Sequence, residues 1–487
     1  MLADRRVKIV STLGPASNTP QMIENLIRAG VNVFRLNFSH SSHEEHFKVF
    51  THIRALSKKL NAPVTILQDL QGPKIRVGKL KEPILNLEDG KEITLTTEEV
   101  LGDEKRISID YKKLHEFAKP GMKVLLDDGL IEMVIVSVKG KDIHCKIIFG
   151  GELKERKGVN IPGAQLDIEC MTEKDFKDLE FGIKNEVDYI ALSFVRHEDD
   201  IVKLRKILEE RNSKARIVAK IEMLEALTRL EQIIHKSDAV MVARGDLAVE
   251  VGQTQLAQTQ KSIIQLSNSL GKPVITATQM LESMTKNPRP TRAEVTDVSN
   301  AVLDGSDALM LSAETASGKY PVRCVQTMHE VIVEVERTIQ HYYNLNVNAE
   351  FLSVAEAIAA SACLTALKLN AKAIICLTTS GKTARLIASF RPKAQIFAAT
   401  HVVDVLNKLE LIWGIQTLTV DPYESSEGAL QQIEAILLSF NLVEPGDKII
   451  LTLGIPVPER GTTNSLRVHT VQGNNLKPIE DLPLRFK

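Results

Sequence analysis

Apolar positions fall into short continuous runs separated by amphipathic segments of helix length. Val7–Leu13 is one such run, closed by Gly14-Pro15, and Thr19–Ala29 then spaces its apolar residues as a helix does until Gly30 stops it. Val31–Phe38 and Val64–Leu70 repeat the strand signature. Between them, Ser42 and Glu45 form the pattern that caps a helix start. From Gly72 to about Gly163 the texture changes. Short alternating runs (Ile93–Thr96, Lys123–Leu126, Ile131–Val138, Ile143–Phe149) lie between turns such as Glu88-Asp89-Gly90 and Asp127-Asp128-Gly129, which predicts a small all-β insertion. Strand–helix alternation then resumes at Tyr189–Val195, Ile217–Ile221, Ala239–Ala243, Val274–Ala277 and Ala308–Leu311.

Three runs before the insertion and five after it make eight. Without the insertion about 250 residues remain, the usual size of a (β/α)8 barrel. An open doubly wound sheet uses the same alternation, but the unit count and length favour the closed form. The expected division is a barrel over 1–72 and 164–344, a β-rich insertion over 73–163, and a separate α/β domain over 345–487. That last segment restarts the pattern with an Ala-rich helix, Ser353–Leu369, and strands near Ala373–Leu377, Ala394–Ala399, Ile415–Val420 and Lys448–Leu453.

Composition narrows the class. The chain has 487 residues with 61 Lys and Arg against 62 Asp and Glu, a net charge of −1, which argues against a nucleic-acid-coating surface. Five cysteines without a CxxC pair exclude a disulfide scaffold and a cysteine-rich zinc module. No stretch approaches the ~18 apolar residues of a membrane span, and no secretory pattern opens the chain. The expectation is a cytoplasmic protein with no membrane or nucleic-acid partner.

In such a barrel the chemistry sits at the carboxyl ends of the strands. Strand two ends Phe34-Arg35-Leu36-Asn37-Phe38-Ser39-His40, and period-two alternation puts Arg35, Asn37 and Ser39 on one side. Strand three ends at Asp69, strand five in Lys220-Ile221-Glu222, strand six in Arg244-Gly245-Asp246, strand seven in Thr278, and strand eight in Ser312-Ala313-Glu314. Charges converging there are too costly to be core filler. Glu222 and Asp246 are hard oxygen ligands on neighbouring strands, the sparse protein set Mg²⁺ favours when substrate phosphates complete its shell. Arg35 offers a planar fork to a phosphate, and Lys220 a mobile positive charge for a transferring phosphoryl group or an enolate. Backbone amides at the start of the helix after strand six suit a carboxylate.

These segments, with Ala277-Thr278-Gln279-Met280-Leu281-Glu282-Ser283-Met284, Met310-Leu311-Ser312-Ala313-Glu314-Thr315 and Lys8-Ile9-Val10-Ser11-Thr12-Leu13-Gly14-Pro15, resemble the signatures of the pyruvate kinase family in order along the chain. The resemblance implies phosphoryl transfer from phosphoenolpyruvate to ADP, giving pyruvate and ATP, with Mg²⁺ (Mn²⁺ as a substitute). It implies that Arg35 holds the phosphoryl group and that Lys220 stabilises phosphoryl and enolate charge. Glu222 and Asp246 would bind the metal. Gly245, Asp246 and Thr278 would grip the carboxylate, with Thr278 on the proton route. Asn37, Ser39, His40, Arg76 and Lys157 take nucleotide-contacting positions, the insertion becomes a mobile lid, and a homotetramer is implied.

One departure is specific. Many family members need K⁺ and carry Thr-Lys-Gly-Pro-Glu after the strand-three aspartate; this chain reads Asp69-Leu70-Gln71-Gly72-Pro73-Lys74. The expectation is that Lys74 supplies the charge K⁺ gives elsewhere, so that Asn37, Ser39, Asp69 and Leu70 are no longer a monovalent-ion site and K⁺ is not required. Thr378-Thr379-Ser380-Gly381-Lys382-Thr383 follows a strand and opens a helix, but fails the P-loop spacing because Cys376 stands at the first glycine's position. In the family the matching loop binds an activating sugar phosphate, so Thr378, Ser380, Gly381, Lys382 and Thr383 are the expected cradle for a sugar phosphate or AMP. The partner loop Glu459–Asn464 lacks the tryptophan of animal enzymes. His40, His43 and His46 read as a solvated face, and Trp413 as core or interface. The competing reading of the barrel mouth is a Mg²⁺-dependent lyase or aldolase acting through an enolate.

Overall fold

Eight parallel strands close on themselves: Lys8–Thr12, Val33–Asn37, Thr65–Asp69, Tyr189–Leu192, Arg216–Ile221, Ala239–Ala243, Val274–Ala277 and Ala308–Leu311, called here the first to eighth barrel strands. The first pairs with the eighth through Lys8↔Ala308, which completes the ring. The computed structural model describes residues 5–164, 166–338, 353–455 and 463–473. Among them no helix is long and apolar enough to cross a membrane.

Local chemistry explains the connections. Thr19 caps the helix Pro20–Ala29 by accepting from the Met22 amide, and Gly30 ends it at φ 107°, a backbone angle glycine adopts without a Cβ penalty. Ser42 and Glu45 form the expected reciprocal capping box. The barrel interior is filled by inward residues of alternate pleats, among them Val10, Val33, Leu67, Val218, Met241 and Met310. Leu411, from the C-terminal domain, joins that cluster and plugs the amino-terminal end of the barrel.

The lid leaves the barrel after the third strand and returns before the fourth. It is a six-stranded sheet in the spatial order Val159–Asn160, Lys123–Leu126, Ile131–Lys139, Asp142–Phe149, Glu92–Thr96 and Arg106–Ser108, with a separate pair Leu85–Leu87 and Gly151–Leu153. It has its own apolar core, including Leu95, Val124, Met133 and Ile143. The C-terminal domain is a five-stranded sheet, ordered Ile415–Thr419, Gln395–Thr400, Ala373–Leu377, Lys448–Leu453 and Ser465–Thr470. The last strand is antiparallel and shows no apolar run, because it lies at the sheet edge with all six residues partly or fully exposed.

Candidate active site

The carboxyl ends of the barrel strands gather a chain of buried charge. Arg35 Nε donates to Asp69 Oδ2 at 2.6 Å, and Lys220 Nζ donates to Asp69 Oδ1 at 3.2 Å. Asp69 is 1% exposed and lies between these two cations. Burial alone would raise its pKa, but Lys220 and Arg35 outweigh that and lower it. Thr12 Oγ1 accepts from Arg35 Nη1 at 3.0 Å and so fixes the second edge of the guanidinium. Lys220 behaves inversely: burial pulls its pKa down, while Asp69 and then Glu222 hold it above the ordinary value. It is therefore a permanent cation at neutral pH.

Glu222 follows on the same strand end, its Oε2 3.7 Å from Lys220 Nζ. Its carboxyl is pushed up to about 7, first by burial and further by Asp246 and Asp69, against the opposing pull of Lys220 and the Phe194 amide. Asp246 lies in the first turn of the helix Arg244–Val251, directly after the neighbouring strand. Two hard carboxylates in mutual repulsion, one of them holding its proton to near neutrality, are a donor set that a divalent cation would relieve. The residues fit Mg²⁺ on that chemistry. Among the described residues no group of three or more His, Cys, Asp or Glu is placed to hold a metal ion, so an ion on this pair would draw its remaining ligands from substrate and water.

Thr278 sits at φ 69° and Gln279 at φ 52°, both in the left-handed region that a branched or bulky residue avoids. The turn is riveted from below by Arg244, which donates to the carbonyls of Ala277 (3.1 Å) and Thr278 (2.6 Å) and pairs with Asp297 at 2.8 Å. The strain aims Thr278 Oγ1 at the Gly245 amide, 2.9 Å away. A substrate carboxylate at this point would share or displace that contact. Glu314 is spent on structure: its two oxygens accept from the amides of Leu281 (3.0 Å) and Ser312 (2.7 Å).

Lys74 reaches the mouth from the lid's first segment. Its ammonium lies 3.2 Å from Asp246 Oδ1 and 3.5 Å from Asp128 Oδ1 of the lid. It thus contacts the expected metal ligand, while Asn37 Oδ1 caps the Ser39 amide at 3.1 Å and Asp69 serves Arg35 and Lys220. Leu70 is buried and offers its carbonyl to Ser193 Oγ at 2.7 Å. His40 is exposed at the rim. Arg76 and Lys157 lie on the two segments that join lid to barrel: Arg76 Nη1 donates to the Arg156 carbonyl at 3.0 Å, and Lys157 pairs with Asp127 at 2.7 Å. A cavity of about 50 Å³ lies at this hinge, walled by Pro73, Ile161, Phe194, Arg196, Glu225 and Glu250.

The histidine triplet is not uniformly solvated. His43 pairs with Asp178 at 2.7 Å, but His46, one helical turn on, is buried and stacks on Phe38 with centroids 4.1 Å apart. The two lie on neighbouring positions of one helix face, and His46 is the one that faces inward, its Nε2 on the His40 carbonyl at 2.9 Å. Trp413 is buried between domains, with Arg391 4.7 Å and Arg6 5.3 Å from its ring.

In the C-terminal domain, Gly381 caps the helix Lys382–Ser389 at φ 75°. Thr378 Oγ1 accepts from the Gly381 amide at 2.8 Å. Ser380 Oγ accepts from the Lys382 amide at 3.4 Å, Lys382 is exposed, and Thr383 bonds Thr463. Of the second loop, residues 459–462 lie outside the described residues.

Strand ends not weighed in the sequence also contribute. Thr12 closes the first strand and Ser193 follows the fourth, where Lys220 Nζ donates to Ser193 Oγ at 2.6 Å. The strand-end rule marks the two positions, but a lone hydroxyl there carries no signal of its own until the cation beside it is placed.

Comparison with known proteins agrees with this geometry. The family model "Pyruvate kinase, barrel domain" matches residues 4–325, and "Pyruvate kinase, alpha/beta domain" matches residues 356–469. A pyruvate kinase of Staphylococcus aureus strain MRSA252 is 44% identical over 96% of this chain and 80% of its own length. The protein of strain NCTC 8325 matches equally. A crystal structure of a pyruvate kinase from Cryptosporidium parvum superposes with a TM-score of 0.92 at 37% identity, covering 96% of this chain and 97% of that one.

Proposed function

We infer the division of labour in this mouth from one premise: the chain belongs to the pyruvate kinase family, and is a phosphotransferase with pyruvate kinase activity in glycolysis. Phosphoenolpyruvate and ADP are the substrates the family implies. A β-phosphate oxygen of ADP attacks the phosphorus of phosphoenolpyruvate. The bond from phosphorus to the enol oxygen breaks, and the enolate takes a proton at its methylene carbon to become pyruvate.

In the proposed arrangement Arg35, braced by Asp69 and Thr12, grips the moving phosphoryl group by its free edge. Lys220 places its charge where phosphoryl and enolate oxygens become negative, so its contribution grows toward the transition state. Glu222 and Asp246 would hold Mg²⁺, which when bound neutralises phosphate charge and orients the oxygens. The amides of Gly245 and Asp246, with Thr278, receive the carboxylate, and Thr278 stands on the proton's path. Asn37, Ser39, His40, Arg76 and Lys157 face the nucleotide from rim and lid. Lid closure over the mouth excludes water from a group that would otherwise be hydrolysed.

The observation that carries this reading is the cation–anion–cation chain Arg35–Asp69–Lys220 beside a carboxylate pair. The test is pyruvate release from phosphoenolpyruvate with and without ADP, coupled to ATP formation. Release that ignores ADP would favour the lyase reading and overturn this one.

Two finer elements belong to the proposal. Lys74 supplies a fixed positive charge in the mouth, so turnover proceeds in Mg²⁺ buffer free of K⁺ and Na⁺; activation above about tenfold by K⁺ refutes it. The loop Thr378–Thr383 receives the phosphate of a sugar phosphate or AMP that activates a homotetramer. What supports this is a helix amino terminus with an exposed lysine beside it. Lys382→Glu abolishes activation on that reading, and undiminished activation removes the loop from it.

A further inference from the structure

The bonding capacity of Lys220 can be counted. An ammonium has three N–H donors and no acceptor. One goes to Ser193 Oγ at 2.6 Å and a second to Asp69 Oδ1 at 3.2 Å. Glu222 Oε2, at 3.7 Å, is an electrostatic neighbour beyond hydrogen-bond range. On a tetrahedral nitrogen, pinning two donors fixes the direction of the third, and that third one is left for a substrate oxygen.

Ser193 is built to accept. It is 1% exposed, and its own proton goes to the Leu70 carbonyl at 2.7 Å, so only its lone pairs face the lysine. The next residue, Phe194, adopts φ 55°, an outlier for a bulky side chain. That conformation aims the Phe194 amide at Glu222 Oε1, 2.6 Å away. Two successive residues thus hold the two functional groups of the fifth strand end, one by a hydroxyl and one by an amide. Close packing enforces the turn: a Cβ at Gly72, where φ is 70°, would fall 2.6 Å from Phe194 Cδ2 and 2.9 Å from Ser193 Cβ. Gly72 also lies directly before the lid's first segment.

We propose that Ser193 is a positioning residue for phosphoryl transfer: its hydroxyl, oriented by the Leu70 carbonyl, fixes the direction in which Lys220 presents its remaining N–H to the transferring group. This deepens, and rests on, the role assigned to Lys220 above. A buried serine that merely satisfied itself would need the bond to Leu70 alone. The acceptor side is committed to an ammonium whose other ties are to the active-site carboxylates.

The test uses the full-length protein with Ser193→Ala, Ser193→Cys and Ser193→Thr beside Lys220→Met. Alanine removes the hydroxyl, cysteine keeps the volume with a weak acceptor, and threonine restores the hydroxyl. Loss of a hydrogen bond to a charged group lowers kcat about tenfold to hundredfold in the alanine and cysteine variants. The KM for phosphoenolpyruvate and the affinity for Mn²⁺ alone, read by electron paramagnetic resonance, stay within about twofold of the parent, since neither depends on the lysine's direction. Threonine regains most of the rate. Parent-like turnover in Ser193→Ala or Ser193→Cys, with Lys220→Met inactive, overturns the Ser193 assignment alone. A threonine variant as slow as alanine overturns it too, because packing and not the hydroxyl is then responsible. So does a parallel fall in kcat and Mn²⁺ affinity, which places the effect at Glu222. Active Lys220→Met overturns the underlying reading as well.

Discussion

The two ends of one barrel spend buried charge in opposite ways. At the amino-terminal end Lys8 is 3% exposed and donates to the Ile415 carbonyl, with Glu410 at 4.0 Å. Asn32 donates to Glu410 at 3.0 Å, Tyr189 to the Lys408 carbonyl at 3.0 Å, and Arg391 pairs with Asp307 at 3.0 Å. These polar groups meet a partner across the seam with the C-terminal domain. At the carboxyl end, Lys220 keeps a donor beyond its two hydrogen bonds, and Glu222 and Asp246 repel one another. A buried charge matched by its own protein partners holds domains together. One left partly unmatched is held in readiness for a ligand, and its desolvation is the cost of that readiness.

The sharpest way to break this contrast is to remove the same charge from each end. Lys220→Met is expected to lower kcat by about a thousandfold or more while phosphoenolpyruvate binding stays largely intact, because the lost charge matters most in the transition state. Lys8→Met is expected to lower the thermal midpoint while the surviving folded enzyme turns over normally. Steady-state kinetics with calorimetry on both variants checks the pair. A loss below tenfold for Lys220→Met, or a large kinetic defect in Lys8→Met, erases the distinction.

Arg391→Ala tests the seam itself. Its guanidinium serves Asp307, the Asn268 side chain and the Gly305 carbonyl, and stacks over Trp413. Removing it strands a buried carboxylate and is expected to cost about 3 kcal/mol of stability, measured by denaturant unfolding. A change under about 1 kcal/mol would show that the Arg391–Asp307 pair adds little to the seam.

A smaller effect lies at the hinge. Burial pushes the Glu250 carboxyl up to about 7; Glu225 and Asp246 add to the shift, while the Asn160 amide and the Leu224 N–H oppose it. Lys74, Arg196 and Glu225 wall the same cavity. Because the folded pKa lies above the unfolded value of 4.5, the proton is bound more tightly in the folded state. That stability is fully present below pH 4.5 and is lost as pH rises through 7. Between pH 5 and 8 the parent, in chelator, is expected to lose on the order of 2 kcal/mol more than Glu250→Gln. Equal slopes for the two proteins would place the carboxyl's pKa near its ordinary value.

Much of the site was legible because strand ends in a barrel are few and charge there is rare. Arg35, Asp69, Lys220, Glu222, Asp246 and Thr278 all follow from that rule, and the structure brings them to one rim. The supporting groups were not legible. Ser193 and Thr12 are ordinary hydroxyls whose significance appears only when a lysine or a guanidinium lands beside them. Arg244 ends the sixth strand beside Gly245 and Asp246, but nothing in one dimension says that it rivets the Thr278 turn. His46 misled because its helix spacing alone does not say which face meets Phe38.

By itself the sequence determined the unit count, the interruption by a β-rich segment, and which residue types end the strands, since hydrophobic periodicity and residue chemistry are local properties. Only the tertiary structure decided that Asp69 would be shared by Arg35 and Lys220, that Lys74 would reach Asp246, and that Leu411 would seal the far end. Those outcomes depend on through-space distances of a few ångströms between residues tens to hundreds of positions apart, and closure of the ring is what sets them.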